Sequence, residues 1–425
     1  MADRCRPLAL AALLLGGCAG QPDRGPVIVT FPGSSLGAEA QVLSQQLARF
    51  NAAHPNIRVV RRDTPDAADQ RHQLYVQWLN AGATDPDILQ LDAIWTPEFA
   101  AAGWILPLDR FGPDTAAFFR STIDANRWRD TLFALPWFVD VGMLYWRTDL
   151  VSAPPATLGD LVQDARRALK RPGMRYGLVW QGARYEGLIT NFLEYLGAYG
   201  GRILRGGRVV VNSEEGVQAL TEMRDEIYRD SIVPSAVLTW HEEESRFAFQ
   251  NGESVFMRNW PYAVGLMQDS SQSRVAGRFG VAPMPAGPGG SPTAALGGAQ
   301  LAINRHTENP EAAWAVVDFL TRPEQMQERA RVVGQFPARV ELYEANKLAG
   351  DLRIPPATAR RVIEFAVPRP VTPVYNQLSE ILQIYLHRAL TRQTTPALAL
   401  SQAQAEMQQL LNRVGLGARA SAATR

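Results

Sequence analysis

The sequence predicts an α/β fold in two lobes, each a sheet flanked by helices. Three observations carry that reading. The chain has 425 residues, more than one ordinary core occupies, which suggests two units of typical domain size. From Val27 to about Gly103 the hydrophobic pattern runs strand, helix, strand, helix, strand, helix, the order of a parallel sheet covered by helices. At Asp149 that pattern gives way to a second series of helices separated by short strand-like pieces. A hydrophobic share of 46%, a charged share of 20% and a formal net charge of +1 suit a globular chain and offer no charge excess to attract nucleic acid or an anionic membrane.

The first residues, MADRCRPLALAALLLGGCAG, place two arginines before an apolar run from Leu8 to Leu15 and then small residues before Cys18. This is the order of a secretory signal, and the run is short of the roughly 20 apolar residues of a permanent span. LGGC resembles a bacterial lipobox, against the plainer reading of an ordinary signal with an incidental cysteine. The expectation is a signal peptide over 1–17, acylation of Cys18, a flexible tether over 18–26, and a mature chain outside the cytoplasm, anchored by lipid at the periplasmic or cell surface. With Cys5 removed and Cys18 acylated, no thiol remains for catalysis or a disulfide.

VIVTF from Val27 reads as a buried strand, and Leu43, Leu47 and Phe50 follow at helical spacing up to Pro55. IRVVRR is a second strand, Gln70 to Asn80 a second helix, and DILQLD a third strand. In TPEFAAAGW, Thr96 is read as the N-cap and Pro97 as the first helical residue. The later helices fall near Leu158 to Leu169, Glu186 to Tyr199, Ser213 to Arg229 and Glu242 to Gln250. Residues 281–298, rich in Gly and Pro, read as a loop or crossover. The strand AQLAIN and a helix capped by Thr307 or Asn309 then lead back toward the first lobe. Two helices, about Tyr375 to Leu390 and Pro396 to Val414, precede a small-residue tail, 415–425, read as disordered.

The five histidines lie scattered without a second ligand at helical spacing, so no metal site is expected. No phosphate loop, dinucleotide fingerprint or nucleophile elbow occurs, so no cofactor is expected either. What stands out is carboxylates beside aromatic residues: Asp92 in LQLDAIWTPEF, Asp140 in WFVDVGMLYW, Glu186 after Tyr185 in ARYEGL, and Glu242 in TWHEEESRF. Carboxylates accept from vicinal hydroxyls and aromatic faces pack on the C–H side of a pyranose, so the inventory suits a sugar. Each residue has a plainer use. Asp92 could cap the following helix, and Glu242 to Glu244 could favour a helix start. Trp260 could be core, although the strand-to-helix junction NWPY, with Tyr262 beside it, favours a ligand platform. Arg369 could bind sugar or hold a carboxylate. Asp140, inside an apolar run, must either pair with an arginine or face a polar ligand.

Five stretches taken in order, LQLDAIWTPEFAAAGWILPLD, FVDVGMLYWRTDL, FAFQNGESVFMRNWPYAV, ALGGAQLAI and RPVTPVYNQLSEIL, resemble the extracellular solute-binding proteins of carbohydrate ABC importers, in particular the trehalose/maltose-binding lipoproteins. The similarity spans about residues 27–412. It implies a two-lobed periplasmic-binding-protein fold, type II-like, that closes on a sugar as a hinge. Lobe 1 would comprise 27–138 with about 299–345, and lobe 2 about 139–298 with 346–414. Carried over by motif, Asp92 and Asp140 would accept sugar hydroxyls, Trp260 would stack a ring, and Phe138 and Tyr262 would line the cleft. Gly297 and Gly298 would bring backbone amides near the ligand, and Glu242 and Arg369 would complete the polar set, with Tyr185 and Glu186 nearby. Near the N-terminus relatives place a polar or acidic residue against the first sugar; in FPGSSLGAEA that role falls to Ser34, Ser35 or Glu39. The resemblance further implies a monomer that hands a disaccharide to ABC permease subunits in the membrane. A secreted glycoside hydrolase, which also pairs carboxylates with aromatics, and a binder of another polar solute are the competing readings.

Overall fold

The computed structural model describes residues 25–33, 37–65, 68–345 and 347–417. The signal segment, Cys18, Ser34, Ser35 and residues 418–425 lie outside the described residues.

Strand β1 (Val27–Gly33), helix α1 (Gly37–Ala53), β2 (Ile57–Asp63), α2 (Ala68–Asn80), β3 (Ile88–Asp92) and α3 (Thr96–Ala101) follow the predicted alternation. β1 and β2 pair in parallel, Val27 opposite Ile57. Trp95, not Thr96, is the N-cap of α3, so Pro97 falls at the second helical position. The Thr96 hydroxyl is used elsewhere, donating to Asn126 Oδ1 at 2.8 Å. After α4 (Arg120–Asp124) and a small hairpin, β4 (Arg127–Trp128) with β5 (Thr131–Leu132), come β6 (Ala134–Val141) and β7 (Met143–Arg147).

The second lobe continues with α5 (Leu158–Ala168), β8 (Tyr176–Val179), α6 (Glu186–Ala198), the short pair β9 (Leu204–Arg205) and β10 (Arg208–Val209), and α7 (Glu214–Tyr228). Then follow α8 (Glu242–Gln250), β11 (Ser254–Asn259), α9 (Tyr262–Gln268), β12 (Phe279–Ala282) and β13 (Ala294–Ile303). The chain closes with α10 (Pro310–Leu320), α11 (Pro323–Val333), α12 (Pro356–Glu364), β14 (Ala366–Val367), α13 (Tyr375–Leu390) and α14 (Pro396–Arg413). α11 and α12 were not legible in the hydrophobic pattern, because both begin on prolines inside charged, interrupted stretches.

In the first lobe β13 is central, antiparallel to β3 and to β6. In the second the strand order is β12-β7-β11-β8, with β11 antiparallel to β7 and parallel to β8. The loop expected over 281–298 is therefore shorter: its ends belong to β12 and β13. Gly and Pro density hid the strand start because Gly297 and Gly298 sit inside a paired ladder.

Successive strand residues face opposite sides. Tyr145, Val179 and Met257 join one core, which includes α8 and α9, while their neighbours Leu144, Leu178 and Phe256 join another with α5, α6 and α7. α13 and α14 pack together and against α7 in that second core. The first sheet is likewise covered on both faces, Ile88 and Leu301 on one side, Leu89, Leu91 and Ala302 on the other with Tyr75 and Phe99. α10 lies on β1 and β13, returning the chain to the first lobe.

One residue, Gly142, separates β6 of the first sheet from β7 of the second, so the chain changes sheets there and not at 138. Residues 415–417 are ordered, contrary to the tail reading: Gly415 takes φ 71°, and the Leu416 and Gly417 amides both donate to the Leu411 carbonyl, closing α14.

Candidate functional site

The site is built where β6 and β13 run side by side. Asp140 and Gly297 are register partners. A Cβ on Gly297 would stand 3.4 Å from the Asp140 Cβ and 3.5 Å from Trp260 Cζ3, so the glycine lies in van der Waals reach of both the carboxylate residue and the indole. Gly298 has φ 105°, a backbone state that L side chains rarely adopt, and a Cβ there would stand 2.9 Å from the Asp140 nitrogen. Its carbonyl accepts from the Ala93 amide at 3.2 Å, drawing the end of β3 against the same floor.

The Asp140 carboxylate has no ion pair or side-chain hydrogen bond among the described residues. It keeps some surface exposure, yet it lies deep enough that burial, then Glu39, then Asp92 push its carboxyl up from 3.8 to about 7. Of the two options open to this residue, pairing with an arginine is thus absent.

Trp260 forms the next wall, half-buried between β11 and α9. Its amide donates to Asn259 Oδ1 at 2.8 Å and its carbonyl accepts from the Tyr145 hydroxyl at 2.6 Å. The indole N–H reaches Glu242 Oε1 at 3.4 Å, and the Arg258 guanidinium lies 4.1 Å from the ring centroid. Burial and the neighbouring Glu242 raise the Tyr185 phenol well above its ordinary value. Tyr262, 42% exposed, donates to Glu243 Oε1 at 2.6 Å. The three glutamates at the start of α8 divide their work: Glu244 caps the helix through the His241 amide, Glu243 holds Arg246 and Tyr262, and Glu242 alone turns to Trp260.

At the end of β3 stands a buried arginine. Arg369, 7% exposed, donates to Asp92 Oδ1 at 3.2 Å and to Glu186 Oε1 at 2.9 Å. Asp92 also accepts from the Ile94 amide, a turn contact and not a helix cap. Glu186 is saturated from behind, taking the Tyr375 and Ser379 hydroxyls of α13 as well. It holds Arg369 in place and has little acceptor capacity left for a ligand.

Glu39, on α1, accepts from Arg329 Nη2 at 3.0 Å. Arg329 is 1% exposed, lies 3.9 Å from the Trp137 ring centroid and 5.7 Å from that of Phe138, and donates to Gln335 Oε1 at 2.8 Å. Burial lowers its pKa to about 10, against the opposing pull of Glu39. Sequence reasoning missed Arg329, since an arginine in ERARVV reads as an exposed helical cation. It also missed Tyr145 and Arg258, which support Trp260 from within apolar strands.

The assembled set is Asp140 without a partner, Glu242 bonded to the Trp260 indole and to no arginine among the described residues, further carboxylates held by arginines, and aromatic faces beside them. This is a surface of hydrogen-bond acceptors and ring platforms suited to a polyhydroxylated ring. Among the described residues no group of His, Cys, Asp and Glu is arranged to hold a metal ion.

The pattern of the bacterial extracellular solute-binding protein family matches residues 33–327. The chain belongs to that family. A probable ABC transporter-binding protein of Deinococcus radiodurans is 34% identical over 365 residues, 82% of this chain and 86% of its own. The maltose-bound MalE3 structure from T. maritima is 40% identical, with a TM-score of 0.79 over 90% of this chain and 100% of that one. A maltotriose-binding protein of Pyrococcus abyssi is 24% identical over 322 residues, 74% of this chain and 67% of its own. This solute-binding protein accordingly has the two-lobed fold of its relatives, works outside the cytoplasm, and captures a solute without converting it.

Proposed function

We propose that this solute-binding protein captures a sugar, a disaccharide of the maltose or trehalose kind, and delivers it to the permease of an ABC importer. The observation that carries the reading is Asp140: a carboxylate without an ionic partner, beside a half-exposed indole, with a side-chain-free glycine between them. An isolated buried charge is costly, and sugar hydroxyls are donors that would satisfy it while the ring packs on Trp260. Asp92 and Arg369 face the same ligand from the other side, Glu242, Tyr185 and Tyr262 extend the wall around Trp260, and Phe138 with Glu39 closes the end near α1. Gly297 and Gly298 keep the backbone close to the sugar. Glu186 serves through Arg369.

In this reading the two lobes close on each other about the crossovers near Gly142 and β13, and the monomer is held at the membrane by lipid on Cys18. The MalE3 relative was determined with maltose, which supports that end of the sugar range. Titration calorimetry against maltose, trehalose, maltotriose and sucrose tests the proposal. Heat of binding saturating at one sugar per chain is expected for at least one of them; silence across the whole set would overturn it.

A further inference from the structure

Beneath the cleft lies an ion pair that the sugar reading does not use. Arg258 on β11 donates to Glu194 on α6 through Nε at 2.8 Å and Nη2 at 2.5 Å, and neither side chain has any solvent exposure. Desolvation offsets most of the attraction in such a pair, so stability alone is a weak reason for it. Its other contacts are more informative.

On one side Glu194 Oε1 also accepts the Ala295 amide at 3.1 Å, and the Ala295 carbonyl accepts the Gly142 amide at 3.2 Å. Gly142 is the single residue between the two sheets at the first crossover, and Ala295 is the second residue of β13, the strand of the second. A Cβ on Gly142 would overlap Glu194 Oε1 and Arg258 Nη2, so the pair occupies the space that a side chain at the crossover would need. On the other side the Arg258 guanidinium covers the Trp260 ring at 4.1 Å. Gln181 braces the pair: Arg258 Nη1 donates to Gln181 Oε1 at 3.2 Å, and Gln181 Nε2 donates back to the Arg258 carbonyl at 3.0 Å.

We propose that Glu194 and Arg258 are positioning residues that couple occupancy of the Trp260 face to the geometry of both crossovers, an inference that rests on the sugar reading above. A ring stacked on the face of Trp260 away from Arg258 restrains the indole, and the planar guanidinium, forked onto one carboxylate, passes that restraint to Glu194. Glu194 holds the Ala295 amide, and through it the Gly142 strand. Sugar capture and crossover order are then linked by four contacts, with no displacement of the ligand-touching residues required.

Amide hydrogen exchange on the full chain, with and without a sugar that calorimetry has shown to bind, tests this. Saturating sugar is expected to slow exchange at Ala295 and Gly142 by about tenfold more than at Ala403 in the distant α14 core. Arg258→Lys keeps the charge and loses the fork; it is expected to lose that added protection and to bind sugar about tenfold more weakly. Glu194→Gln keeps an oxygen for Ala295 and loses the ion pair, and is expected to reduce the protection likewise, which serves should Arg258→Lys fail to fold. Equal protection at the two amides with and without bound sugar in the wild type overturns the proposal, whatever the variants do. So do variants with lowered melting temperature but wild-type affinity and protection, the signature of a merely structural pair. A wild type that gives no heat with any sugar sinks the cleft reading first, and this coupling with it.

Discussion

Arg369 Nη2 donates to Asp92 Oδ1 across 3.2 Å, although the two residues stand 277 positions apart in the chain. The same guanidinium reaches Glu186, so one buried cation ties the end of β3 to the start of α6. Burial disfavours its charge, but Asp92 and Glu186 together outweigh that and raise its pKa. Removing it should leave two carboxylates facing each other without compensation.

Arg369→Ala is therefore expected to cost on the order of 2–3 kcal/mol of stability, at the low end for a broken buried pair because both carboxylates keep some solvent access. Arg369→Lys, which retains the charge without the two-pronged fork, should lose less. Chemical denaturation of both variants checks the order; an unchanged midpoint for the alanine variant would show that water replaces the guanidinium.

Asp140 gives a pH dependence of definite sign. The unfolded chain ionises this group near 3.8 and the folded protein near 7, so between those values the native state holds the extra proton. Stability from this group is fully present below the unfolded value and declines as pH rises toward 7. Without sugar, Asp140→Asn should gain on the wild type as pH goes from 4 to 8, by about 4 kcal/mol at most. Parallel melting curves of the two proteins across that range would contradict the shift.

Asp140 and Trp260 should fail differently toward sugars. Asp140→Ala removes an acceptor from desolvated hydroxyls and is expected to cost about 1.5–3 kcal/mol of binding. Trp260→Ala removes contact area and should weaken every accepted sugar with little change in their ranking. Asp140→Asn keeps the shape, adds donors, and should reorder preference among disaccharides. Calorimetry on one sugar panel separates these outcomes, and wild-type affinity in both alanine variants would place the ligand elsewhere.

At Gly298 the backbone itself is tested. With φ 105° and the Phe138 carbonyl where a Cβ would stand, Gly298→Ala should cost roughly 1–3 kcal/mol through strain alone. Because the displaced atoms include the Asp140 amide, sugar affinity should fall along with the melting temperature. A folded variant with unaltered affinity would mean that the floor relaxes without moving Asp140.

Cys18→Ser addresses the anchor. The mutant should pass from the membrane fraction to the soluble extracytoplasmic fraction, as LGGC and the lack of any thiol beyond Cys18 imply. Unchanged membrane association would remove the lipid from the account.

Much of the fold was legible because periodicity is local. The β1 to α3 alternation, the second series of helices and α13 with α14 each announce themselves by spacing within a dozen residues. Where glycine and proline serve a paired strand, as at Gly297 and Gly298, the same local rules pointed to a loop. α11 was lost for a related reason, and Arg329 with it, since nothing nearby says that a charged helix turns its arginine onto Trp137.

By itself the sequence determined which side chains could meet a sugar: carboxylates next to aromatic rings, at strand ends, in the order of a known family. Only the tertiary structure decided which carboxylates are spent and which is free. Glu186 is consumed by Arg369, Tyr375 and Ser379, Glu39 by Arg329, and Asp92 in part by Arg369, while Glu242 meets the Trp260 indole and no arginine, and the Asp140 carboxyl is left without a partner among the described residues. The physical reason is that an ion pair is settled by partners brought within about 3–4 Å, and here those partners come from hundreds of residues away, beyond the reach of any local pattern.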